Sequence, residues 1–101
     1  MSANPMDALV QRATTQLNRL DDALASLHAI RAEAVSRDGR VRVEVDGNGS
    51  PTGLWLSESL HDLDARVLAR TITETAHHAA AAAAEERNRI TTALFDTYDE
   101  S

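Results

Sequence analysis

The 101-residue chain has no cysteine and no lysine, two prolines, four glycines and three aromatic residues. Without cysteine there is no disulfide framework, and the expected compartment is the cytosol. No apolar run approaches the ~18 residues of a membrane span, and Met1 to Met6 carries neither the basic nor the apolar region of a secretory signal, so no membrane partner is expected. Three aromatics make a poor core. Alanine supplies 18 of the 43 apolar residues, leaving 25 large enough to fill space. A chain this short with so little to bury, and no staple, gains stability by self-association, so a homodimer is expected. The 10 basic residues are all arginine, against 16 acidic ones, for a net charge of -6. Such a field repels nucleic acid and anionic lipid unless a local basic patch overrides it.

What is present divides into four segments of one domain, 1–101. Asn4 can cap a helix that opens on Pro5 and carries Asp7 in its first turn. From there Val10, Ala13, Leu17, Leu20, Leu24 and Leu27 recur at alternating intervals of four and three, with Ile30 and Ala34 continuing one step out of phase. The spacing predicts an amphipathic helix over 5–35. At about 1.5 Å per residue it is ~45 Å long, more than the ~34 Å diameter of a compact globule with the ~13 Å radius of gyration usual at this length. It must project or pair.

Ser36 to Gly39 breaks the pattern and the period drops to two. Val41, Val43 and Val45 face one way and Arg40, Arg42, Glu44 and Asp46 the other, which predicts a half-buried strand over 40–46. Asp46-Gly-Asn-Gly49 reads as a hairpin loop, and a second strand is predicted over 51–57. There Thr52, Leu54 and Leu56 share one face, and Gly53 and Trp55 the other. The single Trp therefore falls on the charged side of the first strand, where its cover must be explained.

The helical period returns over 62–95 through Leu63, Val67, Leu68, Ile72, Ala76, Ala79, Ala83, Ile90 and Leu94. Six consecutive alanines, Ala79 to Ala84, form the middle of this helix. They favour the helix intrinsically but bury almost no side chain, so the segment either lies exposed or lets another helix approach closely.

Chemistry has little foothold. His77 and His78 diverge by about 100° on a helix and cannot share an ion without a third ligand. His28 and His61 have no ligand near in sequence, and no nucleophile–base set or phosphate loop is present. No catalytic residue, metal or cofactor is expected. Among the charges, Asp62–Arg66, Arg70–Glu74 and Glu85–Arg89 are i,i+4 pairs and Arg19–Asp22 an i,i+3 pair. Removing them leaves Arg12, Arg31, Arg37, Arg40, Arg42 and Arg87. Of these, Arg37, Arg40 and Arg42 cluster at the start of the hairpin beside Asp38 and Glu44. That cluster reads either as a phosphate-contact patch or as ion-paired surface.

The order long helix, strand, Gly-containing hairpin, strand, Ala-rich helix, with the stretches GRVRVEVDGNGSPTGLWLSESL and LARTITETAHHAAAAA, resembles the YbaB/EbfC family of nucleoid-associated proteins over nearly the whole chain. The resemblance implies an α+β fold that dimerises through its core with helices projecting as paired arms. It also implies DNA binding with relaxed sequence preference at the nucleoid, and no enzymatic activity. Arg37, Arg40 and Arg42, with Arg12 and Arg31, are then the candidate DNA contacts. Val41, Val43, Val45, Leu54, Trp55, Leu56, Leu68 and Ile72 are the candidate dimer contacts. The GLWL strand and Ala-rich last helix are also similar to YbaB-like proteins encoded with actinobacterial type VII (ESX) secretion systems. That likeness implies, as the alternative, a regulatory module that binds a secretion-system protein and binds DNA weakly.

Overall fold

The computed structural model of the chain describes residues 4–99. Two helices flank a three-stranded antiparallel sheet: α1 (Pro5–His28), β1 (Arg31–Val35), β2 (Val41–Asp46), β3 (Pro51–Leu56) and α2 (Ala65–Asp99), with strand order β1-β2-β3. The start of α1 follows its local chemistry. The Asn4 side chain accepts the Met6 N–H at 2.8 Å, satisfying one of the amide donors left open at a helix start, and proline stands in the first helical turn.

The end of α1 corrects the predicted 5–35 helix. The chain leaves the helix at Ala29, and residues 31–35 form a third strand. Ile30 and Ala34 fit a helical stripe, but Ala32 and Ala34 also alternate with Arg31, Glu33 and Val35. Pairing with β2 decides between the two periods. Ala32 and Ala34 lie opposite Val45 and Val43, so the strand completes the hydrogen bonding of β2 while placing small side chains beneath α2.

Both connections are built from side-chain-assisted turns. In the first, Ser36 Oγ donates to Asp38 (2.7 Å) and accepts the Val41 N–H (3.0 Å), and Gly39 takes φ 73°. In the second, the Asp46 carboxylate accepts the Asn48 and Ser50 N–H groups, and Gly49 takes φ 81°. A bulge between Glu44 and Val45 leaves Thr52 as the extra residue, its hydroxyl donating to Glu44 at 2.8 Å. The hairpin strands end within one residue of their predicted limits.

The core lies on one face of the sheet. Val41, Val43 and Val45 are buried together with Ile30, Ala79 and Ala83, and Leu68 and Ile72 pack against the edge of this cluster. The three valines are covered within the chain itself. The alanine run does meet a close neighbour, but that neighbour is the sheet of the same chain rather than a helix. A β-carbon placed on Gly49 would stand 3.2 Å from Cβ of Ala80, and Arg87 donates to the Gly47 carbonyl at 2.7 Å, pinning the hairpin loop to the helix.

α2 begins at Ala65, three residues after the predicted start, because Asp64 is its cap, accepting the Arg66 N–H at 2.9 Å. Both helices run past the sheet. The molecule measures 78 × 20 × 15 Å with a radius of gyration of 21.1 Å, well above the ~13 Å of a compact domain of this size. Among the described residues, no helix is long and apolar enough to cross a membrane, and no group of His, Asp or Glu side chains is placed to hold a metal ion.

Candidate nucleic-acid interface

The sheet face turned away from α2 is uncovered, and its chemistry follows from the register. Arg42 lies opposite Val35 on one side and Trp55 on the other, and Glu33 lies opposite Glu44. Directly opposed carboxylates repel, and each has a partner: Arg42 approaches Glu33 at 3.6 Å, and Thr52 donates to Glu44. The cover of Trp55 is also resolved. Its ring lies over Gly53, filling the space a side chain would take, and the Arg42 guanidinium sits 4.1 Å from the ring centroid in a cation–π stack. Even so, Trp55 is 43% exposed, and Leu54 and Leu56 on the other face of the same edge strand are 50% and 43% exposed.

The five candidate arginines do not converge. Arg40 is held by Asp62 in a two-pronged contact (2.8 and 3.1 Å), with Asp38 at 3.8 Å. Arg31 donates to the Ile30 carbonyl at 2.7 Å, at the far end of β1 from the turn that carries Arg37. Arg12 is exposed on α1. Arg37 is exposed in the β1–β2 turn, and no ion pair among the described residues holds it. Arg37 and Arg42 are thus the pair that shares one end of the sheet with a surface open to a ligand.

Two sequence-based pairings are replaced. Asp62 takes Arg40 rather than Arg66, and Arg89 takes Glu86, one turn back, rather than Glu85. The Arg40–Asp62 contact spans 22 positions, which no i,i+4 rule reaches. Its electrostatics are legible in the titration of the groups. The Arg40 hydrogen bonds hold the Asp62 carboxyl below the usual aspartate range, and the Ser36 hydroxyl, followed by the Arg40 N–H, does the same for Asp38. A depressed folded-state pKa contributes stability above the unfolded-state value, and that contribution is lost as pH falls through the folded value. The thermal midpoint is therefore expected to fall more steeply between about pH 5 and pH 2 in the wild type than in Asp62→Asn, which keeps the shape without the titrating group. Parallel acid limbs in the two proteins would show that the pair carries no linkage.

The arrangement has the parts of a phosphate-contacting surface, cations at a turn and on a sheet face. His77 and His78 are exposed on α2, and His28 ends α1. The YbaB/EbfC DNA-binding family matches residues 2–97. The chain belongs to that family. Its fold is similar to that in the crystal structure of uncharacterized protein HP0035 from Helicobacter pylori, with a TM-score of 0.61, 17% sequence identity, and coverage of 94% of this chain and 98% of that one. No curated protein matches it. Within this YbaB/EbfC domain, sequence reasoning missed the roles of Asp62 and Glu33 in neutralising arginines. The signal for the Trp55 cover was present: a glycine two positions earlier in the strand, on the same face.

Proposed function

We propose that this chain is a homodimeric nucleoid DNA-binding protein with little sequence preference. The observation that carries the reading is the YbaB/EbfC match across 96 of the 101 residues. Low specificity is supported by where the accessible cations lie. Arg37 sits in a turn and Arg42 on a strand, positions suited to backbone phosphates rather than to reading base edges from a groove-sized helix. Dimerisation is supported by Leu54, Trp55 and Leu56, exposed apolar residues on both faces of an unpaired edge strand, the kind of edge a partner covers. Leu68 and Ile72, half-buried on α2, border the core from the same helix.

The alternative of a protein-interaction module attached to type VII secretion is favoured by one observation, the neutralisation of Arg40 by Asp62 in a chain of net charge -6. The two readings separate in one experiment. If phosphates are held by the turn and the open face, Arg37→Ala/Arg42→Ala should flatten the log–log salt dependence of DNA binding by about 0.9 per lost contact, with the far-UV spectrum unchanged. A variant that binds DNA with the wild-type slope would place the contacts elsewhere. A wild type that binds a protein partner and no DNA would favour the module. Light scattering at micromolar concentration should give the mass of at least two chains, and a folded species of 10.9 kDa would exclude the dimer.

A further inference from the structure

α1 has no buried residue over its 24 positions. Its Met6, Val10, Leu17, Leu20 and Leu24 are nevertheless large, apolar and between 37% and 60% exposed. With Ala13 and Leu27 they recur at strict alternation of four and three from residue 6 to residue 27, the 3.5-residue period of a two-stranded helical seam. The chain covers only the C-terminal end of this seam, where Leu27 packs against the core, and leaves positions 6 to 24 open. α1 meets the end of α2 through Arg19, Asp22, Ala23 and Ser26, against Ile90 and Leu94. At 3.6 residues per turn those positions are centred about 140° round the helix from the seam.

We propose that this seam pairs antiparallel with α1 of a second copy of the chain, an interface separate from the exposed β3 edge and independent of DNA binding. Self-complementarity of the seam argues for a second copy. Run antiparallel in heptad register, the seam sets Val10 against Leu27, Ala13 against Leu24 and Leu17 against Leu20, so the one small residue always meets a large one. Run parallel, Ala13 meets Ala13 and leaves a void, which costs packing. The flanking row agrees. Antiparallel pairing brings Asp7 to His28 and Asp21 to Thr14, so no two carboxylates face each other, and the helix dipoles oppose head to tail. An interface of this kind on α1, added to one at β3, would link dimers into larger assemblies, since each chain then carries two self-complementary surfaces.

The absence of native cysteine makes the register directly readable. In the full-length Ala13→Cys/Leu24→Cys chain, mild oxidation is expected to convert most of the protein to covalent dimers. Their linked peptide should join position 13 of one copy to position 24 of the other. Within one chain the two positions are 11 residues, about 16 Å, apart along the helix, beyond the ~7 Å Cα separation a disulfide spans. Ala13→Cys alone should give at least tenfold less dimer, because antiparallel pairing holds its two copies ~16 Å apart as well. Efficient linking in the single variant would overturn the antiparallel arrangement. Absence of linking in the double variant at ~100 µM, with the helical spectrum intact, would overturn the pairing itself and leave the seam to a different helical partner. As a second readout, Leu17→Glu/Leu20→Glu should halve the sedimentation mass of the assembled protein with no loss of helicity, and an unchanged mass would count against the seam.

Discussion

Val43→Asp is expected to abolish folding at 25 °C. Val43 is 2% exposed at the centre of β2, with Ala34 and Leu54 beside it on the neighbouring strands and Ala79 and Ala83 in the same cluster. Nothing in that cluster donates a hydrogen bond to a carboxylate, and an unpaired buried charge costs several kcal/mol even after relaxation. A domain of this size has a total stability on the order of 5 to 15 kcal/mol, and the small core places this one at the lower end. A far-UV spectrum without helix, and no cooperative melting, is the expected readout. A cooperative transition within a few degrees of the wild type would mean that the inner face of β2 is open to water, and with it the account of the core would fail.

Ala83→Leu tests the other side of the same contact. Ala83 is fully buried where α2 crosses the sheet, so three added carbons have no room and must push α2 away from β2. Overpacking of this kind costs about 1 to 3 kcal/mol. For a domain near 100 residues each kcal/mol moves the midpoint by roughly 4 to 8 °C, so the midpoint should drop by at least several degrees. Ala81 is the control. It stands two residues away on the exposed face of the same helix, and Ala81→Leu should change stability by less than about 0.5 kcal/mol. Equal midpoints for the two variants would show that the alanine run does not approach the sheet closely.

The parts of the fold that were legible in the sequence are those whose physics is local. Asn4-Pro5 at the helix start, the Val41-Val43-Val45 alternation and the Asp46–Gly49 turn each act within a few residues, and each element appears where the pattern puts it. β1 was not legible because Ile30 and Ala34 satisfy two periods at once, and pairing with β2, a non-local event, chooses between them. The same distinction separates the parts of the candidate site. The identities of the five arginines could be read directly. Whether they act together depends on Asp62, 22 positions from Arg40, and on Glu33, one strand over from Arg42. The valines at 41, 43 and 45 show the corresponding risk for apolar residues. An alternating stripe marks a buried face, but not whether a helix of the same chain or a second subunit buries it.

The measurement that tests DNA binding most directly is a titration of the wild-type chain against duplexes of unrelated sequence from about 50 to 200 mM salt, a range over which log K falls linearly with log salt when phosphates are contacted. Two cationic side chains per subunit, Arg37 and Arg42, present four in a dimer, so similar affinity for all duplexes and a log–log slope of about -3 to -4 are expected. No binding to any duplex at 50 mM salt would contradict it.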